Sequence, residues 1–226
     1  MANMVEKEDK GYSPLASGWA AVWAEENTRA SIFDAMQRKE TYATTGSRMI
    51  VRFFGGWNYA DNLVEKDNFV EKAYKEGVPM GQDLPKKPSR AKAPTFAVWA
   101  LKDPTSGNLD RVQIIKGWVD DAGQFHQVVH DIIGDAENGA DVDPLTCEAR
   151  GAGASALCGV WQDPDFDSNQ DAVYYARVVE NPSCRWSARL GLSLPEVERP
   201  DACTTDPLPR TIQERAWTSP IWYVTE

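Results

Sequence analysis

Residues 19–54, WAAVWAEENTRASIFDAMQRKETYATTGSRMIVRFF, organise the rest of the chain, because they predict a strand, a helix, a tight turn and a second strand. Asn27 or Thr28 is placed to accept a hydrogen bond from the free N–H groups of the helix that follows. The apolar residues of this helix recur at helical spacing, at Ile32, Phe33 and Met36. We expect the helix to end near Glu40, after two cationic residues in its last turn.

A strand is expected after Gly46, because glycine permits a tight turn and the residues beyond it alternate between two faces. Five later segments share this period of two and are bounded by Gly, Pro, Asp or Asn: 95–103, 111–119, 125–133, 172–180 and 219–225. Together with residues 48–54 they make six strands. This number predicts a mainly β (α+β) fold, an immunoglobulin- or fibronectin-like antiparallel β-sandwich preceded by the helix–strand segment.

Composition and charge exclude several classes of protein. The chain has 226 residues, 42% of them hydrophobic, and nine Trp, so it can bury a substantial core. Its net charge of −10 argues against binding to a phosphate backbone, and no nucleic-acid partner is expected. No apolar run approaches the roughly 20 residues that span a bilayer, and residues 1–10 lack the apolar core of a secretion signal.

Four cysteines lie in Gly-, Pro- or Asp-rich surroundings in the second half of the chain, at Cys147, Cys158, Cys184 and Cys203. Three pairings are possible, and the local one, 147 with 158 and 184 with 203, would close two loop excursions between strands. Free thiols in a cytosolic protein and a zinc site are the alternatives, although no Cys-x-x-Cys pair is present. Disulfides imply a periplasmic or secreted protein whose signal lies upstream of this sequence.

The two histidines, His126 and His130, are a weak candidate for a metal site. They would be neighbours on a helix, but in a strand four residues span about 13 Å, too far for one ion to bridge. We therefore expect them to be half-exposed strand histidines rather than ligands.

An acidic run at residues 163–171 places oxygen-bearing side chains at every second position, as the first half of a calcium loop does. The candidate ligands are Asp163, Asp165, Asp167 and Asn169. The run departs from the calcium pattern because Ser168 replaces the turn glycine and Tyr174 replaces the closing glutamate. A turn whose aspartates bond to local backbone N–H groups is the simpler interpretation.

Arginines and tryptophans form another candidate binding cluster: Arg177, Arg185, Trp186, Arg215 and Trp217. They would suit an anionic or aromatic ligand, although Arg stacked on Trp is also an ordinary covering of a sandwich edge. No nucleophile elbow, Walker loop or dinucleotide fingerprint is present, so no catalytic or cofactor-binding residue is predicted in this chain.

Six runs of sequence carry a resemblance to one group of proteins. Residues 26–49, ENTRASIFDAMQRKETYATTGSRM, resemble the closing segment of PHP-type (polymerase-and-histidinol-phosphatase) metallohydrolase barrels, in particular the carbaryl-hydrolase-like branch and a related bacterial family of unknown function. The tail of that uncharacterised family is similar to five later runs, in the expected order: GVPMGQDLP (77–85), LDRVQIIKGWVD (109–120), VWQDPDFD (160–167), YYARVVENPSCRWS (174–187) and IQERAWTSPIWY (212–223).

The resemblance implies that this chain is the C-terminal portion of a larger metal-dependent hydrolase. Such proteins carry divalent metal ions on upstream His-x-His, acidic and Ser-Asp-x-His motifs, and none of these motifs occurs here. The implied division is a flexible N-terminal tail, a barrel-closing helix–strand segment, a helix with a Pro-rich connector, and a β-sandwich with two loop excursions, at 1–16, 17–57, 58–94 and 95–226.

Two functions are compatible with the sequence. As an accessory part of a PHP-like hydrolase of uncharacterised substrate, the chain would be inactive alone. It would place the 77–85 loop at the mouth of the site and expose the helix face of Ile32, Phe33 and Met36 to the missing barrel or to a second copy. As a stand-alone secreted binding module, calcium-dependent or not, it would present Trp-rich loops to a polymer or protein and cover that face internally.

Overall fold

The computed structural model describes residues 17–199 and 209–225; the predicted tail at 1–16 and Cys203 lie outside the described residues. The helices are α1 (Arg29–Gln37), α2 (Phe69–Glu76) and α3 (Trp186–Ser193), with 3₁₀ turns at Leu63–Glu65 and Glu196–Glu198. The strands are β1 (Trp19–Val22), β2 (Thr41–Thr44), β3 (Ile50–Gly56), β4 (Gly77–Pro79), β5 (Thr95–Leu101), β6 (Leu109–Val119), β7 (Phe125–Gly134), β8 (Asp141–Val142), β9 (Ala149–Arg150), β10 (Ala156–Gln162), β11 (Ala172–Glu180), β12 (Ser183–Cys184), β13 (Thr211–Ile212), β14 (Arg215–Thr218) and β15 (Ile221–Tyr223).

Two antiparallel sheets make up most of the protein. The larger has seven strands in the order β1-β2-β14-β11-β6-β7, with β15 also paired to β11, and the smaller has the order β10-β5-β3-β4. The short pairs β8–β9 and β12–β13 lie outside them. The predicted mainly β, antiparallel sandwich is therefore confirmed, and all six predicted strands are present, as β3, β5, β6, β7, β11 and β15.

The main core lies between the two sheets. Phe53 and Phe96 of the smaller sheet stack with their ring centroids 5.6 Å apart, and Phe96 contacts Tyr174 of the larger sheet at 4.5 Å. All three side chains are fully buried, as are Val98 and Ile114 beside them. Each such burial contributes about 1.5–3 kcal/mol, so the period-two apolar pattern is what holds the two sheets together.

A second, smaller core covers the outer face of the four-stranded sheet. Phe54 points away from the main core and meets Phe69 of α2 edge to face, at 5.6 Å between ring centroids. Leu63 and Ala73 are buried with them. Asn62 precedes the 3₁₀ turn Leu63–Glu65, and its side chain makes no capping hydrogen bond.

The outer face of the seven-stranded sheet has no comparable cover among the described residues. The buried residues of α2 belong to the core on the smaller sheet, and Ala188 of α3 packs with Val142 and Cys184. Within α1 only Ala35 is buried. No described helix packs over this face around Gly117 and Tyr175, although Gln113 and Ile115 on the same face are 5% and 2% exposed; we call it the open sheet face.

The 19–54 stretch contributes to both sheets. Strands β1 and β2 form one edge of the larger sheet, whereas β3 is central in the smaller one. Of the two candidate caps, Thr28 is the one used, since its hydroxyl accepts a hydrogen bond from the Ser31 N–H at 3.3 Å. The helix ends at Gln37 rather than near Glu40, because Lys39 adopts a left-handed conformation with φ of 58°.

Candidate functional site

Helix α1 exposes two of its three predicted apolar side chains. Phe33 and Met36 are each 57% exposed, whereas Ile32 is partly buried. Because residues three apart are neighbours on a helix, Phe33 and Met36 form one exposed apolar patch, the kind of surface through which proteins pack on partners. We call Ile32, Phe33 and Met36 the α1 face.

The 77–85 loop lies against the C-terminal end of α1. Gly81, at φ of +90°, approaches so closely that a Cβ atom there would lie 2.2 Å from the Lys39 carbonyl oxygen. The Gln82 side-chain amide donates a hydrogen bond to the Arg38 carbonyl at 2.5 Å. These contacts require glycine at 81 and make the loop a fixed neighbour of the α1 face.

An ionic cluster around the buried Glu40 carboxylate fixes the chain directly after α1. The Glu40 carboxylate is 3.4 Å from guanidinium nitrogens of both Arg38 and Arg52, and the Tyr74 hydroxyl donates to it. Arg52 also stacks 3.3 Å from the centroid of Trp23. Burial, followed by the contact with Glu40, raises the pKa of Tyr74 to about 12. The sequence gives no local signal for this cluster, because its members come from separate elements.

The acidic run begins inside the core rather than in a calcium loop. Asp163 is fully buried, and its carboxylate accepts the Lys116 ammonium at 2.6 Å and the Tyr174 hydroxyl at 2.7 Å. Lys116 also donates to the Asp165 carbonyl at 2.7 Å. Burial and then the Asp163 charge raise the pKa of Tyr174, so this tyrosine stays protonated.

The remainder of the run forms local turns. Asp163 accepts the N–H of Asp165 at 2.9 Å, and Asp167 accepts the N–H of Asn169 at 2.8 Å, as the turn interpretation predicts. Across residues 17–199 and 209–225, no three His, Cys, Asp or Glu side chains are grouped closely enough to hold a metal ion.

The two histidines both lie on β7, as predicted, and each contacts a tryptophan. His126 lies 2.7 Å from an Asp120 carboxylate oxygen and stacks on Trp118 at 5.3 Å between ring centroids. His130 faces Trp161 at 4.8 Å. Their separate partners give the pair no shared site.

The predicted local disulfide pairing is wrong. Cys147 is bonded to Cys184, with their Cα atoms 5.6 Å apart, and Cys158 is a free, exposed thiol on β10. The reason is tertiary: the turn between β8 and β9 carries Cys147 back onto the chain entering α3, where Cys184 packs with Val142. The predicted partner of Cys184, Cys203, lies outside the described residues.

The Arg–Trp cluster is divided between two places. Arg177 and Trp217 are opposite one another in β11 and β14, and Arg177 donates to the Gln113 amide oxygen at 2.6 Å. Arg185 and Trp186 instead line a separate cavity of about 270 Å³. The five residues therefore do not form one ligand site.

A groove of about 920 Å³ lies at one end of the open sheet face. Its lining includes aromatic side chains from three strands: Phe125 is exposed, whereas Tyr175 and Trp222 are partly buried. Sequence reasoning did not find this groove, since the three residues are far apart in the chain. The sequence does indicate one part of the groove: successive residues of a strand lie on opposite faces of the sheet, so Tyr175 lies on the face opposite to that of the buried Tyr174.

The family model described as a protein of unknown function, DUF3604, matches residues 1–225. The chain belongs to this family. Neither comparison with curated proteins nor comparison with solved structures gave a match. None of the helices in the described part of this DUF3604 chain combines the length and apolar character that crossing a membrane requires.

One further buried carboxyl in the DUF3604 chain bears on stability. Glu180 is 0% exposed, at a register shift that ends β11, and the Ser106 hydroxyl donates to it at 2.6 Å. Burial raises its pKa above the ordinary glutamate value. The folded state therefore binds the Glu180 proton more tightly than the unfolded state does. The free energy of unfolding gains from this at low pH, and the gain is lost as the pH rises from the ordinary carboxyl range through the raised pKa.

Glu180→Gln is expected to raise the melting temperature at pH 7 by a few degrees and to change it little at pH 4. Glutamine keeps an oxygen that accepts from Ser106 but cannot ionise. Thermal unfolding of the parent and the variant from pH 4 to 8 measures the difference between their melting temperatures. A difference that is largest at pH 4 would contradict a raised pKa for Glu180. Glu196→Gln, in the 3₁₀ turn at Glu196–Glu198 where no residue is buried, is the matched control.

Proposed function

We propose that this chain is the C-terminal accessory part of a larger PHP-like metal-dependent hydrolase and supplies no catalytic group itself. The observation that carries the proposal is the exposure of Phe33 and Met36, at 57% each, on the helix of the segment that resembles a barrel-closing element. A stand-alone module would be expected to cover such a face internally. The exposed face instead supports packing against a part of the protein outside this chain.

The energetics favour an occupied α1 face. Complete burial of a Phe or Met side chain contributes roughly 1.5–3 kcal/mol, so covering Phe33 and Met36 would add materially to an interdomain contact. The 77–85 loop is held beside this face through Gly81 and Gln82. The same packing would therefore bring the loop to the boundary with the catalytic part.

Among the described residues no three His, Cys, Asp or Glu side chains are grouped closely enough to hold a metal ion, and we propose that the metal ligands lie in the rest of the whole protein. We assign the described residues no step in hydrolysis. Their proposed role is to present the α1 face to the rest of the protein and to hold the 77–85 loop beside it. The Cys147–Cys184 disulfide supports a periplasmic or secreted location for the whole protein.

The native polypeptide provides the direct test. Antibodies raised against this chain would recover the protein from its source, and intact mass with peptide mapping would define its length. We expect a substantially longer polypeptide that contains His-rich motifs and bound divalent metal. A native polypeptide of 25.1 kDa would overturn the proposal and favour the stand-alone binding module.

Phe33→Ser combined with Met36→Ser is expected to reduce self-association of the isolated chain with little loss of stability. Both side chains are more than half exposed, so their replacement removes an association surface rather than core packing. Sedimentation velocity over a concentration series measures association, and thermal unfolding measures stability.

Val197→Ser is the matched control, because Val197 is 95% exposed and belongs to the 3₁₀ turn Glu196–Glu198 rather than to α1. If the parent chain sediments as a monomer at all concentrations, the predicted self-association through the α1 face is wrong. A double variant that unfolds at a much lower temperature would show that the α1 face is packed within the chain, against the accessory role.

A further inference from the structure

The groove on the open sheet face is built by neighbouring strands in register. Gly117 of β6 is paired with Val173 of β11 on one side and with Gln127 of β7 on the other. Val173 is in turn paired with Trp222 of β15. These residues form one row across four strands, so the groove is part of the sheet rather than of mobile loops.

Aromatic rings surround the floor of this row. Tyr175 lies two residues from Val173 on the same strand, at about 7 Å, and is diagonal to Trp222. Phe125, at the opposite side, is 88% exposed. The three rings lie at positions spread across the sheet. They therefore suit an extended ligand that contacts several rings in turn rather than a single small group.

The row of Gln127, Gly117, Val173 and Trp222 forms the floor of the groove, and the groove is deepest at Gly117 because glycine has no side chain. A Cβ atom there would lie 3.2 Å from a Val173 methyl group, so the backbone and Val173 are already in close contact. A larger side chain at position 117 would have to extend away from the sheet. Glycine at this position therefore keeps the groove open.

The rim of the groove provides mainly acidic and amide hydrogen-bonding groups. Its polar side chains are mainly carboxylates and amides, at Asp121, Gln127, Asn169, Gln170 and Asp171. Among the described residues that line the groove none is Lys or Arg, and the nearest cation to its rings is Lys39, whose Nζ lies 5.2 Å from the Trp222 ring centroid. Since the chain also carries a net charge of −10, an anionic ligand would be repelled.

We propose that this groove binds a segment of a neutral polysaccharide. Sugar rings present polarised C–H groups that pack on the negative face of an aromatic ring, and hydroxyls that pair with amides and carboxylates. The groove supplies both kinds of partner side by side. This inference is independent of the α1 face and holds whether the chain acts as an accessory part or as a separate module.

Affinity electrophoresis through gels that contain hydroxyethylcellulose, xylan or mannan tests the proposal. We expect at least one of these neutral polymers to retard the chain. Tyr175→Ala and Trp222→Ala should each weaken binding at least about tenfold, as loss of a central aromatic anchor does. Gly117→Leu should abolish binding by filling the floor.

Trp19→Ala is the matched control, because Trp19 is 49% exposed on an edge strand outside the groove and should be dispensable. The variant lacking Phe33 and Met36 should also bind normally, which separates this proposal from the proposed function. Thermal unfolding of each variant checks that it is folded.

Absence of retardation by all three polymers would overturn the inference, as would equal retardation of the groove variants. So would self-association that Trp222→Ala removes, because the open face would then be an interface between copies of this chain.

Discussion

Lys116→Met is expected to destabilise the fold by about 3–5 kcal/mol, the range found when one partner of a buried ion pair is removed. The side chains of Lys116 and Asp163 are 5% and 0% exposed, and their charged atoms lie 2.6 Å apart. Methionine has a similar length and fills the same space, so the loss would be chiefly electrostatic. Chemical denaturation of the two proteins at pH 7 measures the difference.

The effect should be large because the ammonium has several roles in one place. Besides pairing with Asp163, it donates to the carbonyl of Asp165 and so fixes the turn before β11. Asp163 meanwhile accepts the hydroxyl of Tyr174, which lies in the main core. Removal of the cation would leave a carboxylate in that core with only a neutral donor and its local turn contact.

A double-mutant cycle isolates this pair. Lys116→Met together with Asp163→Asn should cost less than the sum of the two single changes, since no uncompensated charge then remains. Lys102→Met is a suitable control, because Lys102 bonds to the neutral amide of Asn108 instead of a carboxylate. Additive single changes, or a Lys116→Met cost below about 1 kcal/mol, would show that the buried pair does not hold the turn.

Local patterns predicted the elements of this fold well. Alternation identified β3, β5, β6, β7, β11 and β15. The burial of side chains follows it most clearly in β11, from Ala172 to Val178, whereas β7 has no fully buried residue. The alternation is weak in β10, where Gly159 and Cys158 occupy the centre of the strand, and this strand was missed. β10 is a strand because it pairs with β5, and this pairing depends on residues distant in the sequence.

The candidate sites depended on contacts that the sequence does not show. The turn bonds of Asp163 and Asp167 were predictable because their partners lie two residues away. Lys116 and Tyr174, which bury Asp163, come from other strands. The groove similarly requires β6, β7, β11 and β15 to be neighbours, which depends on sheet order rather than on any motif.

Cys147→Ser combined with Cys184→Ser is expected to destabilise the protein by about 3–4 kcal/mol, from the chain-entropy estimate for a bond with this sequence separation. The two cysteines are 37 residues apart. The loop that they close contains β10 of the smaller sheet and β11 of the larger one. The bond therefore restricts, in the unfolded chain, the very segment that must supply a strand to each sheet.

Cys158→Ser is the matched control, since Cys158 is exposed and unbonded and its replacement should leave stability nearly unchanged. Denaturant unfolding with and without a reducing agent measures both variants. The reducing agent should lower the stability of the parent chain and of Cys158→Ser but not of the double variant. If reduction destabilised all three proteins equally, the Cys147–Cys184 bond would not be the stabilising link. If Cys158→Ser were the unstable variant, the local pairing of Cys147 with Cys158 would have to be reinstated.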